Sequence, residues 1–140
     1  MKDFIKNILS FEETGIYKNE ECVFINDNFV VVKDIKMKNN DINNLHLTAW
    51  CKNTNLTCLT DLTIKDLKIL LDIKNDMSKY IQETYDFDEY EVFIHYPPQF
   101  YNLHIHFRNK YIKHHAPIEE VFLIDNVMKN LFNHNEKSKL

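Results

Sequence analysis

Long apolar runs are missing from this 140-residue chain: none approaches the eighteen or so residues that span a bilayer. Met1-Lys2-Asp3 does not read as the start of a secretory signal, so none is expected. The three cysteines, Cys22, Cys51 and Cys58, are an odd number with no C-x-x-C pairing, so free thiols in a reducing compartment are the simplest reading. The 17 basic residues form no dense run against 21 acidic ones, and the net charge of −4 disfavours a generic duplex-binding surface. It leaves room for a small anion held by a few groups. Glycine occurs once, at Gly15, in the loop expected after a first short helix, and repeats, low-complexity tracts and linkers are absent. What remains is ordinary core material, with 44% hydrophobic and 13% aromatic residues. Residues 1–140 therefore read as one domain able to bury roughly 65–70% of its unfolded surface, in a soluble, intracellular protein with no membrane partner.

Periodicity gives the elements. Phe4, Ile5, Ile8 and Leu9 share one side of a short helix over Asp3 to Phe11. The apolar, β-branched runs from Cys22 to Ile25 and from Phe29 to Val32 flank Asn26-Asp27-Asn28, a hairpin signal. Leu45 to Cys51 alternates, with Leu45, Leu47 and Ala49 on one face and His46, Thr48 and Trp50 on the other. After Asp61 or Thr63 as cap, Ile64, Leu67, Leu70, Leu71, Met77 and Ile81 recur at helical steps to about Thr84. Two strands follow, Tyr90 to His95 and Tyr101 to Phe107, separated by a Pro97-Pro98 turn that no central strand tolerates. Pro117 fits the first turn of a last helix through Val121, Phe122, Ile124, Met128 and Leu131, and 133–140 reads as a polar, frayed tail. The class is α+β with a mostly antiparallel β-sheet, one long central helix and a C-terminal helix.

The chemistry concentrates in Tyr101-Asn102-Leu103-His104-Ile105-His106-Phe107. As a strand it puts Asn102, His104 and His106 on one face and Leu103, Ile105 and Phe107 in the core. His-x-His with His95 or His46 could also supply nitrogen ligands to a metal, but no carboxylate or cysteine on the same strand completes such a site. His114-His115 reads as surface loop, because adjacent residues of an extended chain point oppositely. Lys33, Asp34 and Lys36 read equally well as a charged strand exit. Trp50 reads as core or interface.

These residues resemble the histidine triad superfamily, and more specifically the C-terminal catalytic domain of scavenger mRNA decapping enzymes. The likeness rests on four ordered motifs: Asp34-Ile35-Lys36; Leu45, Leu47, Ala49 and Cys51; Leu59-Thr60-Asp61-Leu62-Thr63; and His95-Tyr96 with its proline turn followed by Leu103-His104-Ile105-His106-Phe107. It runs from about Phe4 to Met128 and implies a histidine-triad-like fold. It implies a nucleotide pyrophosphate hydrolase of the scavenger decapping type, acting on m7GpppN cap dinucleotides, related nucleotides or short capped RNA. His104 would be the nucleophile that forms a histidine–nucleotidyl intermediate, and His106 would hold phosphate oxygens. His95, Gln99 and His46 would lie at the phosphates, with Gln99 in place of a small hydroxyl residue and His46 in place of a tyrosine. Asp34 and Lys36 would contact the methylated guanine nucleoside. No cofactor or metal is implied; a homodimer is, in a cytoplasmic setting with a nuclear one left open.

Three departures stand against the family pattern. Asn102 occupies the place of the first triad histidine and can hydrogen-bond but not carry a proton. Glu120 stands where an arginine facing the phosphates is expected. The family's N-terminal domain, which supplies a tryptophan against the methylguanine, is expected to be absent. The alternatives are a general dinucleoside polyphosphate or phosphoramidate hydrolase, a non-catalytic cap- or nucleotide-binding protein, and a structural partner protein.

Overall fold

Seven strands form a single antiparallel sheet in the order β1-β2-β3-β4-β6-β5-β7. The computed structural model describes residues 1–37 and 40–138, with side chains through residue 134. In chain order the elements are α1 (Asp3–Leu9), β1 (Gly15–Tyr17), β2 (Glu20–Ile25), β3 (Phe29–Lys33), β4 (His46–Cys51), α2 (Leu67–Tyr85), β5 (Tyr90–His95), β6 (His104–Asn109), β7 (Val121–Leu123) and α3 (Ile124–Ser138). The α+β, mostly antiparallel class expected from the sequence is what forms.

The hairpin between β2 and β3 turns on Asn26, whose Oδ1 accepts from the backbone N–H groups of Asn28 and Phe29 at 2.9 and 2.8 Å. That side chain does locally what a backbone turn would do. α2 is preceded by a tight turn at Ile64–Asp66 with a capping box between Thr63 and Asp66; Thr63, one of the two candidates, caps that turn, and Asp66 is the residue ahead of α2 itself. Leu70, Ile73, Met77 and Ile81 of α2 are wholly buried. They pack with α3 on one face of the sheet, over Phe29, Val31, Leu47, Ala49, Ile105 and Phe107. Each such side chain contributes about 1.5–3 kcal/mol by leaving water.

The opposite face is divided. α1 covers its β2–β3–β4 side, where Ile5 and Ile8 meet Cys22, Val30, Val32 and Trp50. The β4–β6–β5 side carries the histidines. β6 lies between β4 and β5, inside the sheet, so its backbone is bonded on both flanks.

Three expectations need correction. The histidine strand begins at His104 rather than Tyr101, because Leu103 turns its N–H to Leu56 and its C=O to Cys51 N. Pro117 opens not the last helix but a short turn, Ile118–Glu120; Val121–Leu123 then pairs with β5, and α3 starts at Ile124. The apolar run Val121-Phe122-Leu123 suits a strand edge, which the helical period concealed. The expected frayed tail is helical to Ser138; Lys139 and Leu140 lie outside the described residues, as do Lys38 and Asn39 of the expected 38–44 loop.

Candidate active site

Register builds the site. On β4 and β6, His46 lies opposite Arg108, Thr48 opposite His106 and Trp50 opposite His104. On β5 and β6, Glu91 lies opposite Arg108 and Phe93 opposite His106. Alternation then puts His46, Thr48 and Trp50, His104, His106 and Arg108, and Glu91, Phe93 and His95 on one face.

His104 is 9% exposed, stacked on Trp50 with ring centroids 4.2 Å apart. Its Nδ1 lies 2.7 Å from the carbonyl oxygen of Asn102. A carbonyl only accepts, so Nδ1 carries the proton and Nε2 holds the lone pair of the neutral ring. Burial lowers the pKa of His104, the Asn102 hydrogen bond raises it, and the neighbouring His95 lowers it; the net direction is down. The ring is therefore neutral near pH 7, with a nucleophilic Nε2.

His106 lies against Phe93, with parallel rings at 5.0 Å. Its Nδ1 is 3.0 Å from Nε2 of His46, and Nδ1 of His46 is 3.5 Å from Oδ2 of Asp34. Burial holds the pKa of His46 down to about 4 against the opposing pull of Asp34. Burial, with the like-charged neighbours His104, His46, His95 and Arg108, holds His106 well below its ordinary value. His95 is also lowered, by burial, then His114 and Arg108, with Glu120 opposing.

The sequence-predicted residues thus separate. His104, His106, His95 and His46 converge: the His95 and His106 rings are 4.9 Å apart and the His104 and His106 rings 5.1 Å apart. Asp34 joins them through His46. Lys36 is exposed on the turn beyond β3, where its backbone N–H donates to Asp34 Oδ1 at 2.9 Å, and its charge reaches His46. Gln99 is exposed and lines a separate groove of about 760 Å³ with Lys2, Phe100, Tyr101 and Asn102. Asn102 does not share the histidine face as a strand residue. Its buried amide donates to the Cys51 carbonyl at 3.2 Å, tying β6 to the end of β4, and its backbone carbonyl orients His104.

Sequence reasoning missed two residues. Arg108 continues the alternation two positions past Phe107 and lands beside His106, where burial lowers its pKa. It donates to the Ile112 carbonyl at 3.1 Å, and its guanidinium lies 5.7 Å over the Phe93 ring. His114, expected on the surface, lies edge-on to Phe93 at 4.8 Å with its Nε2 3.3 Å from Glu91. No pattern in the sequence signals that the 110–117 segment folds back over β5. Nε2 of His95, Nε2 of His106 and Nδ1 of His114 are buried without a hydrogen-bond partner. Among the described residues, no group of three or more His, Cys, Asp and Glu side chains is arranged to hold a metal ion.

Next to Trp50, a recess of about 210 Å³ opens between α1 and the β3 exit, lined by Phe4, Glu20, Asp34, Ile35 and Thr48 among others. Burial raises the pKa of Glu20, as does the charge of Asp34.

Residues 9–119 match the family model described as scavenger mRNA decapping enzyme C-term binding. The chain belongs to that family. Curated relatives include the m7GpppX diphosphatase of Caenorhabditis elegans, 35% identical over 108 residues, which are 74% of this chain and 34% of that protein. The human m7GpppX diphosphatase is 32% identical over 110 residues, 75% of this chain and 32% of that protein. The chain thus spans about a third of the length of the curated relatives it matches. Among solved structures, Hnt3 in complex with DNA and guanosine superposes with a TM-score of 0.50 at 19% identity, covering 91% of this chain and 74% of that one. The fold is histidine-triad-like, as the motif implied.

Proposed function

We propose that this domain is a nucleotide pyrophosphate hydrolase of the scavenger decapping type, cleaving m7GpppN dinucleotides or short capped RNA through His104. The observation that carries the reading is the Nδ1–carbonyl bond at His104, which leaves Nε2 unprotonated on an imidazole kept neutral by burial. In the first half-reaction Nε2 forms a bond to phosphorus as the bridging P–O bond breaks, and the leaving phosphate departs with the electron pair. In the second, water attacks the same phosphorus and gives up a proton to solvent, the P–N bond breaks and the pair returns to Nε2. The proton stays on Nδ1 throughout, held by Asn102. His106, His95 and Arg108 border the developing charge, and Arg108 supplies a cation although the family's expected arginine position is Glu120.

The recess beside Trp50 supports a methylguanine on one side of the phosphates. It combines aromatic walls with Glu20 and Asp34, suited to a positively charged base that presents N–H donors. A general dinucleoside polyphosphate hydrolase is the second reading, favoured by the exposure of Lys36, which leaves base contacts sparse. The family likeness also supports a homodimer.

The decisive experiment is hydrolysis of a methylated cap dinucleotide, an unmethylated one and a diadenosine polyphosphate by wild type and His104→Ala. We expect turnover with preference for the methylated cap, and its loss in the variant, with a labelled nucleotide trapped on the wild-type protein. Turnover unchanged in His104→Ala would refute the mechanism. Equal rates on all three substrates would select the second reading, and binding without turnover would make this a nucleotide-binding protein.

A further inference from the structure

Tautomers along Asp34, His46 and His106 follow from charge and hydrogen-bond counting. The Asp34 carboxylate sits 3.5 Å from His46 Nδ1 and is itself steadied by the Lys36 N–H. A carboxylate facing an imidazole nitrogen favours the tautomer with its proton there, since the alternative puts a lone pair against a negative oxygen. With Nδ1 protonated, neutral His46 offers only a lone pair at Nε2, which is 3.0 Å from His106 Nδ1. His106 must therefore donate from Nδ1, and its Nε2 becomes a lone pair. That nitrogen is one of the three buried side-chain atoms without a partner among the described residues. An orphan acceptor inside a site that receives an anion calls for an explanation.

We propose that Asp34 and His46 are positioning residues that hold His106 with its Nε2 as a proton acceptor, so that arrival of an anionic phosphate ligand loads one proton there. The loading step balances simply: one proton leaves the solvent, an Nε2–H bond forms, and the imidazolium donates Nε2–H toward phosphate oxygen. Its Nδ1–H still donates to His46, whose own Nδ1–H faces Asp34. The groups facing this pair set the threshold. His46 faces Asp34, Arg108, His95 and Lys36; His106 faces His46, His104, His95 and Arg108. All but Asp34 oppose a proton, and burial opposes it further, so the proton enters only with a ligand's negative charge. The arrangement assigns His46 to the orientation of a neighbour rather than to phosphate contact. The loading half rests on the proposed function; the tautomer half does not.

Histidine-ring nitrogen NMR on the whole chain at pH 7 tests both halves separately. Without ligand, His46 and His106 are expected as Nδ1–H tautomers. In His46→Phe, which removes the acceptor, His106 is expected to change to Nε2–H; in Asp34→Ala both forms should appear, and Asp34→Glu should restore the wild-type pattern. An Nε2–H tautomer of His106 in wild type, or no change in both His46→Phe and Asp34→Ala, would overturn the positioning role. Titration with 7-methylguanosine diphosphate is then expected to move His106 Nε2 to the imidazolium range, while bound ligand with His106 still neutral would overturn the loading. If the diphosphate perturbs no resonance, the decapping reading fails, and the tautomer comparison alone decides this proposal.

Discussion

Acid should weaken this fold before most of its carboxylates titrate, and His46 allows the effect to be sized. Its side chain is 21% exposed and its pKa lies at about 4 rather than 6.5, chiefly because burial disfavours the imidazolium. The unfolded chain binds a proton at this residue below pH 6.5 while the folded one does not until about pH 4. Stability from this group is therefore complete above pH 6.5 and is lost as pH falls through that window. The slope is about 1.4 kcal/mol per pH unit, so a descent from pH 7.5 to 5.0 removes about 2 kcal/mol on account of His46 alone. Glu20, whose pKa is raised, acts in the opposite sense, but equally in wild type and variant. Urea denaturation of wild type and His46→Gln at both pH values, with matched m-values, isolates the residue. The wild type should lose about 2 kcal/mol more than the variant. Equal losses, within about 0.5 kcal/mol, would refute the claim that this imidazole is held neutral by the fold.

Trp50 is the only tryptophan and stacks on His104, so its fluorescence should titrate with that ring. A quenching midpoint below pH 6.5 is expected, absent in His104→Ala, and a midpoint at or above 6.5 would contradict the depressed pKa. Ile105→Ala empties a wholly buried position behind the histidines and should cost about 2–5 kcal/mol in chemical denaturation. Thr63→Ala removes the capping box ahead of α2 and should cost about 1 kcal/mol in the same assay, with activity unchanged.

Much of this was legible because β-strand alternation is strict. Leu103, Ile105 and Phe107 are at most 1% exposed, and His46, Thr48 and Trp50 share the face that His104 and His106 occupy, as their spacing required. The α2 stripe was plain at Leu70, Met77 and Ile81, but Leu71 of the expected stripe is exposed and Ile73 is buried in its stead. The errors fall where period gives no information. Asn102 kept the spacing of a strand residue but lies before the strand, because its amide finds a better partner in the Cys51 carbonyl than in the open face. The segment 117–123 has apolar residues compatible with a helix, and only pairing with the exposed edge of β5 makes 121–123 a strand. His114 reaches the site through a loop whose path is fixed by tertiary contacts to Glu91 and Phe93, which no local pattern encodes.

The site meets a physical conflict in an unusual way for one that would hold a polyphosphate. Cations clustered this closely would repel one another and destabilise the empty protein. Here the four central imidazoles, His46, His95, His104 and His106, are all shifted toward neutrality, chiefly by burial and further by neighbouring histidines or Arg108. Arg108 is the guanidinium beside them, and its charge rests on the Ile112 carbonyl and the Phe93 ring, with no carboxylate within ion-pair distance among the described residues. Glu120, in the place of an expected arginine, raises the His95 pKa instead of adding a positive charge. On the proposed loading step, positive charge in the site is thus largely latent: it appears at His106 when an anion arrives and is withdrawn when the anion leaves. On that logic, replacing His106 with a permanent cation, as in His106→Lys, should destabilise the free domain while phosphate ligands partly restore its stability. Thermal denaturation with and without 7-methylguanosine diphosphate reads both effects, because a ligand at a hundredfold its dissociation constant adds about 2.7 kcal/mol. A His106→Lys domain as stable as wild type without ligand would show that the cluster tolerates permanent charge, and the argument from latent charge would fail.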